Sequence, residues 1–419
     1  MVNKLQNDPI TISSYKNRWR PAIIFTLLVI MMASVFFSRF LLSLSMIVFV
    51  AFSVFHPDIK KQFSVFFNSP LLWSMSLLFF LPLISGLWSG DQNEWLEAIK
   101  IKAPLIVMPF AFAAPFGLSK RQWQQLAFLF VGCVVLATIW SMSNYIFDAK
   151  EVNENYLRSQ LLVTPLENDH IRFSWMVAVS TLVSVWLWLE NRKKNNRNNW
   201  LVLMLIGWQI IFLHILAART GLFSFYLMLL IAALVFIKKK WKTGTGIMLL
   251  LLLLLLPVIA YFSLPTFQNR VKYILYDLPY FSKGHYSPAM NDAVRIVSMK
   301  AGWNVMNEHS FYGVGFGDVM SETKKWYAVH YPQMKETDQI LPSGEWLLYG
   351  VACGWPGLIL SGIVIFIPFF IKVKNYKWLW VMLNVSVMLA FLSDIIFEVQ
   401  FGVFLYSFFV LWWWKLTTE

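Results

Sequence analysis

Arg219 is the residue whose type and setting most invite chemistry. It sits in HILAARTGLFSF, at the joint of two apolar runs spanning 200–237, where His214 and Arg219 are the only basic side chains. An arginine in hydrocarbon costs about 2.5–3.5 kcal/mol at mid-membrane on insertion scales, and less near an edge, so it needs a partner. No acidic residue lies near it in sequence. Its guanidinium is a rigid fork of donors suited to phosphate. Two readings stand: an anion site, or a turn residue snorkelling into the interface while Thr220-Gly221 makes the bend. Arg295 lies in NDAVRIVSMKAGW, which has a helical pattern. If that helix covers the mouth of a bundle, Arg295 can face Arg219. Two converging guanidiniums would suit a diphosphate, whose charge neither balances alone. The blander reading of Arg295 is a solvated face with Asp292 as its partner.

Glu345 opens the apolar stretch EWLLYGVACGWPGLIL. A carboxylate at a helix N-terminus is favoured by the helix dipole; a general base or an acceptor-orienting group is the sharper reading. His170 and Arg172, in ENDHIRFSW, mark the start of another apolar run, as a cap or as the rim of a cavity. Asp394 and Glu398 are turn residues or help hold an acceptor. His214 reads as a packed histidine. Cys133 and Cys353 lie in apolar runs with no ligand-spaced neighbours, so they read as small core residues, and no metal site is expected.

What must position these groups follows from composition. Of 419 residues 58% are hydrophobic and 14% charged, against about 25% charged in a typical soluble domain. Disorder and an ordinary soluble enzyme are both excluded. Apolar runs fall near 21–37, 40–55, 70–87, 103–117, 123–147, 171–189, 200–217, 221–237, 245–264, 346–371, 378–393 and 399–414. This predicts an all-α integral membrane protein of about 12 transmembrane helices. The first two runs are close enough to be one re-entrant pair, with Arg39 between them, and the first run reads as a retained span rather than a signal peptide.

Charge supplies an independent check. With the N-terminus in the cytoplasm, the inner segments carry 20 basic residues against four acidic ones, Asp8, Asp58, Glu190 and Glu419, while the outer loops are acidic or balanced. Every alternation obeys the positive-inside rule. Both termini are then cytoplasmic. The net charge of +13 reports topology, not nucleic acid.

One outer segment, 265–345, is too long for a plain connection. Ser287-Pro288 suits a helix start, and Ala293, Val294, Val297, Ala301, Val305 and Met306 follow at helical spacing. A second helix is expected from Asp318, with Val319, Trp326, Tyr327 and Val329 apolar. Between them HSFYGVGFGD (309–318) has Gly313, Gly315 and Gly317 at alternate positions, suited to a tight turn and close backbone approach. The organisation is thus 1–264 as spans one to nine, 265–345 as a helical periplasmic loop, and 346–419 as spans ten to twelve.

Taken together, the ARTG joint, the long loop before the tenth span, Arg295 and Trp303, HSFYGVGFGD, and EWL…GWPGL after the loop resemble the O-antigen ligase / O-antigen polymerase family. The motifs cover residues 170–360, and topology covers the rest. The resemblance implies a bacterial inner-membrane enzyme of lipopolysaccharide or polysaccharide biosynthesis. It would transfer a glycan from an undecaprenyl-diphosphate carrier to an acceptor hydroxyl at the periplasmic face, with neither metal nor cofactor. It gives Arg219 and Arg295 the role of holding the diphosphate and stabilising the leaving group. From their positions, His309, His170 and Arg172 are candidate further substrate contacts. The family's histidine near the loop end falls at Ser343 here. Glu345 two positions on is then the favoured base. His309 or His330 reaching in, or no strong base at all, are the alternatives. The acceptor, whether lipid A core, growing polysaccharide or protein, stays open, so ligase, polymerase and protein O-oligosaccharyltransferase are alternatives. A small-anion transporter and a chemically inert scaffold are the remaining classes.

Overall fold

The computed structural model describes residues 19–166, 168–193, 199–239, 242–282 and 291–418. Among them every regular element is helical. The α-helices are α1 (Trp19–Phe37), α2 (Arg39–Val54), α3 (Ile59–Asn68), α4 (Pro70–Ser85), α5 (Gln92–Lys102), α6 (Pro104–Ala113), α7 (Lys120–Phe147), α8 (Ala149–Tyr156) and α9 (His170–Lys193). They continue with α10 (Asn199–Leu216), α11 (Arg219–Lys238), α12 (Thr243–Ser263), α13 (Pro265–Ser282), α14 (Asn291–Glu308), α15 (Val319–His330), α16 (Glu345–Phe366), α17 (Lys377–Ser393) and α18 (Gln400–Thr418).

Each of the twelve expected spans coincides with a helix to within a few residues. Seven stretches are long and apolar enough to cross a membrane: α1, α7, α9, α10, α11, α12 and 345–370. An eighth is possible if α2 and α3, bent by 111° at their junction, form one span. The sharp bend thus lies after α2; α1 and α2 are separated by Ser38, whose hydroxyl caps α2 by accepting from Leu41 N–H (3.3 Å). Of the other apolar helices, α4 and α17 are shorter.

Burial separates the helices further. The Leu-rich α12 is only 11% buried along its apolar window, as suits a helix whose solvent is lipid. By contrast α18 is buried almost throughout. Its aromatic rings interdigitate with the bundle, Phe409 against Phe130 (4.5 Å), Trp412 against Trp123 (6.5 Å) and Trp413 against Trp186 (6.4 Å). The long segment is also helical. On α14, Ala293, Val294, Val297, Ala301, Val305 and Met306 are all buried, as their spacing requires, and Asp318 precedes α15. Val329 is exposed, whereas Val319 and Tyr327 are buried. Ser287-Pro288 lies outside the described residues. The extra helix α13, starting at Pro265, has no strong apolar pattern to announce it.

One element departs from the expected course. The run 346–371 reads as a single span, but Gly354 is non-helical (φ 66°, ψ −164°). In a continuous helix Tyr349 and residue 357 would lie about 12 Å apart. Here a Cβ at Gly357 would come within 2.4 Å of the Tyr349 carbonyl oxygen, and one at Gly350 within 3.3 Å of Leu358 Cβ. The chain therefore folds back, and α16 is a hairpin of 345–353 (α16a) and 355–366 (α16b), so 345–370, although apolar and long enough in sequence, does not cross as one straight helix. Val351 O and Ala352 O accept from Val314 N–H (3.0 Å) and Gly315 N–H (2.9 Å), so the glycine motif docks on the hairpin tip. Gly313 has room for nothing else: an added Cβ would lie 2.3 Å from the Ala352 carbonyl carbon.

Gly354→Ala should strain this tip by about 1–3 kcal/mol, since only glycine tolerates its φ/ψ, and a Cβ there would lie 2.5 Å from Ser310 O. Thermal melting of the detergent-solubilised protein should show a clearly lowered midpoint; an unchanged midpoint would contradict the fold-back.

Candidate functional site

The ARTG joint works by steric necessity. α10 stops because Ala217 takes a left-handed conformation (φ 49°) and Ala218 an extended one. The chain turns, and Arg219 becomes the first residue of α11. Gly221 then packs directly on α9: a Cβ would lie 2.5 Å from Ser174 O, and Gly221 N–H donates to Ser174 Oγ (3.1 Å). Arg219 is thereby fixed beside the start of α9 and remains partly open, with a third of its side chain exposed. Its partner comes from 73 residues away: one guanidinium nitrogen is ion-paired with Asp292 Oδ1 on α14.

Asp292 brings Arg295 with it. Residues three apart share a helix face, so Arg295 stands one turn along α14 from the carboxylate that grips Arg219. A third guanidinium completes the group. Arg270 on α13 is buried; it donates to Ser159 Oγ (2.8 Å) and stacks over Tyr273 (5.2 Å). Its Nε has no hydrogen-bond partner among the described residues. Burial, then the Arg219 charge, depresses its pKa, and Asp292 opposes that. His170, at the start of α9, lies within the fields of Asp169, Arg270 and Arg295. Arg219, Arg270, Arg295 and His170 thus lie in one charged neighbourhood.

The opposing charge is smaller. Asp277 on α13 is buried, and Oδ2 accepts from Asp292 N–H (3.2 Å), capping α14. Burial and then the Asp292 charge push its pKa above the ordinary carboxylate value. The guanidiniums of Arg172, Arg219, Arg270 and Arg295 thus outnumber the carboxylates beside them, Asp169, Asp292 and Asp277, the last with its ionisation disfavoured. Such an excess of positive charge at partly open side chains can take up a dianion.

A second layer adjoins the first. Arg172 donates to Asp169 Oδ2 (2.5 Å) and Ile395 O (2.5 Å), so its guanidinium ties α9 to the turn between α17 and α18. Glu345 is fully buried against the same turn. Its N–H donates to Asp394 O (2.9 Å), and its Oε2 accepts from Phe397 N–H (3.0 Å), while Oε1 has no partner among the described residues. Lys102, at the end of α5 and also fully buried, pairs with Glu398 Oε1, donates to Phe397 O (3.3 Å), and lies 5.0 Å over the Phe316 ring. Ser343 Oγ pairs with Ser298 Oγ (3.0 Å), and Ser298 Oγ also donates to Arg295 O (2.7 Å).

Other histidines stand apart. His309 is exposed at the far end of α14, about 21 Å of helical rise from Arg295, so the structure does not bring it to the arginines. His330 stacks on Trp326 (4.2 Å). His214 is packed, with Nδ1 against Ile210 O (2.7 Å) and Nε2 against Tyr226 OH (2.6 Å). Two residues of the site, Arg270 and Lys102, have no plain sequence signal. Arg270 lies in the polar FQNRVKY, where a charge is unremarkable. Lys102 abuts an apolar run, and its position at the foot of α5 was the only hint.

The raised Asp277 pKa has a testable sign. The protonated form is favoured in the fold, so its stabilising contribution is complete below the ordinary value of 3.8 and lost as pH rises through the folded value. Asp277→Asn mimics the protonated form. Its melting temperature relative to wild type should therefore climb as pH rises above 3.8; a difference independent of pH would contradict the raised value.

Comparison with known proteins fits this geometry. Curated proteins give no match to the chain. Residues 201–361 match a family described as O-antigen ligase. That stretch runs from α10 to just past the hairpin tip and carries Arg219, Arg270, Asp292, Arg295, Ser343 and Glu345. The resemblance drawn from the motifs and the family match fall on the same stretch, residues 201–361, of a chain with several helices long and apolar enough to cross a membrane.

Proposed function

We propose that the protein transfers a glycan from an undecaprenyl-diphosphate carrier to an acceptor hydroxyl, at the periplasmic face of a bacterial inner membrane. The observation that carries this is the Arg219–Asp292 ion pair with Arg270 beside it and Arg295 one turn further along α14, inside the matched domain. A lipid-linked diphosphate diester carries two negative charges. It can replace Asp292 as the partner of Arg219 and engage the neighbouring guanidiniums in charge-assisted hydrogen bonds. In the transfer, the acceptor oxygen attacks the anomeric carbon and the bond from that carbon to the diphosphate oxygen breaks. The electron pair stays on the diphosphate, where the arginines stabilise it. The acceptor's proton passes to the freed diphosphate oxygen, directly or through water.

Glu345 enters this scheme as a positioning group. It is enclosed, and its hydrogen bonds go to the 394–397 backbone. With Lys102 and Arg172 it holds the α17–α18 turn beside the start of α9. Sidedness rests on charge. Lys120, Lys193 and Tyr376 meet at Glu190 near the end of α9, whereas His170 and Arg172 start it, about 30 Å away by helical rise. The basic end is cytoplasmic by the positive-inside rule, which leaves the arginine cluster outside. A transporter would place its binding charge at broken helices near the midplane; Arg219 instead begins a continuous helix.

Purified protein given an undecaprenyl-diphosphate-linked oligosaccharide and acceptor should show transfer. Arg219→Ala and Arg295→Ala should each lower kcat/KM by roughly 100-fold or more, the scale for losing a charge-stabilising donor. Glu345→Gln should cost less than about tenfold, because loss of a general base costs about 10²–10⁴. Full activity in both arginine variants would remove the site.

A further inference from the structure

Three tryptophans outside the charged layers form a column that the transfer scheme leaves unused. Trp303 on α14 lies 6.5 Å from Trp346 and 5.7 Å from Trp355 between ring centroids. Trp303 and Trp355 are 43% and 38% exposed, and Trp346 is half-buried. Trp346 Nε1 donates to Leu392 O (3.0 Å), which fixes the edge of that ring.

The column has a direction. α14 and α16a run side by side: an added Cβ at Gly302 would meet Leu347 (3.1 Å), one at Gly350 would meet Met306 Sδ (2.6 Å), and one at Gly354 would meet Ser310 O (2.5 Å). Pairs 302/347, 306/350 and 310/354 advance together, so the two helices rise in parallel from the level of Ser343 to the hairpin tip. Trp346 lies at the foot of this pair and Trp355 at its top. Trp303 meets Trp346 at a tilt (56°) and Trp355 edge-to-face (80°), so the three indoles present differently oriented faces side by side. The foot of the column also joins the arginine site. Asp292, Arg295, Met299 and Trp303 follow at three- and four-residue steps, hence on one stripe of α14, with Trp303 about 12 Å of rise beyond Arg295.

We infer that Trp303, Trp346 and Trp355 form a carbohydrate subsite, on which sugar rings of the lipid-linked glycan stack as the chain leads away from the diphosphate. This rests on the transfer reading and deepens it. Sugar rings present apolar C–H faces and polar edges, which suits large, partly exposed indole faces held by neighbouring rings. The 12 Å offset from Arg295 means that the sugar attached to the diphosphate lies short of the column. Later sugars rest on it, so the column reads the length of the glycan and not its first residue.

The test compares two donors on the same undecaprenyl diphosphate, one bearing a single sugar and one bearing the full oligosaccharide, with Trp303→Ala, Trp303→Phe and wild type reconstituted in nanodiscs. Trp303→Ala should raise the apparent KM for the oligosaccharide donor roughly three- to tenfold, the scale of an aromatic contact. It should leave the single-sugar donor unchanged, and Trp303→Phe should recover most of the loss. Equal effects on both donors, or none on either, would overturn the subsite. Binding of the free oligosaccharide, released from the carrier by mild acid, separates this inference from the transfer reading. If no variant transfers but wild type binds the oligosaccharide more tightly than Trp303→Ala does, the subsite stands and the transfer reading falls. If wild type and Trp303→Ala bind it alike, the subsite falls.

Discussion

A guanidinium at the edge of hydrocarbon must be answered by negative charge, and that requirement organises one end of this protein. Arg219 cannot find a carboxylate on α10 or α11, because both are apolar helices that cross the bundle. The answer comes from Asp292, on a helix that the chain reaches only after α12 and α13. The ion pair therefore does more than neutralise: it sets where α14 begins and, one turn later, where Arg295 stands. Asp277 reinforces the arrangement by accepting the Asp292 N–H. Removing Asp292 would leave Arg219 at the edge of hydrocarbon without its carboxylate, so both the site and the docking of α14 depend on this contact.

The second charged layer obeys the same rule with a different result. Lys102, Glu345 and Glu398 are enclosed or nearly so, and together with Arg172 they are committed to one another or to the 394–397 backbone. Such groups confer position more than affinity, since pairing only offsets the cost of their desolvation. The first layer is different: Arg219 is a third exposed, and Arg270 keeps a buried nitrogen unpartnered. An open layer of surplus positive charge resting on a closed, self-satisfied layer is what anion binding above a rigid floor requires.

How much of this was legible in the sequence depends on the kind of signal each feature leaves. Apolar runs of sufficient length announce helices directly, and all twelve expected runs are helical. The buried face of α14 was readable because its spacing is strict. Arg219 stood out because it interrupts hydrocarbon. Arg295 could be placed on a helix, but its relation to Arg219 depends on tertiary docking that no local pattern encodes; the expectation of Asp292 as the partner of Arg295 misses that the carboxylate reaches across to α11. The fold-back at Gly354 was hidden for a similar reason. EWLLYGVACGWPGLIL is continuous in hydropathy, and the reversal is set by one backbone conformation and by the packing of Tyr349 on Gly357. Hydropathy measures preference for lipid and carries no information on direction. Arg270 and Asp277 were invisible because α13 looks like an ordinary polar connection.

The hairpin also explains how a serine can occupy position 343. The turn before α16a must lie against α14, because Gly302 packs on Pro342 and Leu347. At that depth Ser343 N–H donates to Ser298 Oγ (3.1 Å), and the two hydroxyls pair. Ser298 passes its own bond to Arg295 O. A short side chain allows this backbone-to-hydroxyl chain, which couples the entry of α16a to the helix turn bearing Arg295. A bulkier ring at 343 would have to leave the 8%-exposed pocket or push α14 away from α16a, and with it Arg295 from the neighbourhood of Arg270 and His170. The local choice at 343 therefore favours fixing a guanidinium over supplying a proton acceptor. That fits a transfer in which a good diphosphate leaving group makes charge placement the main demand.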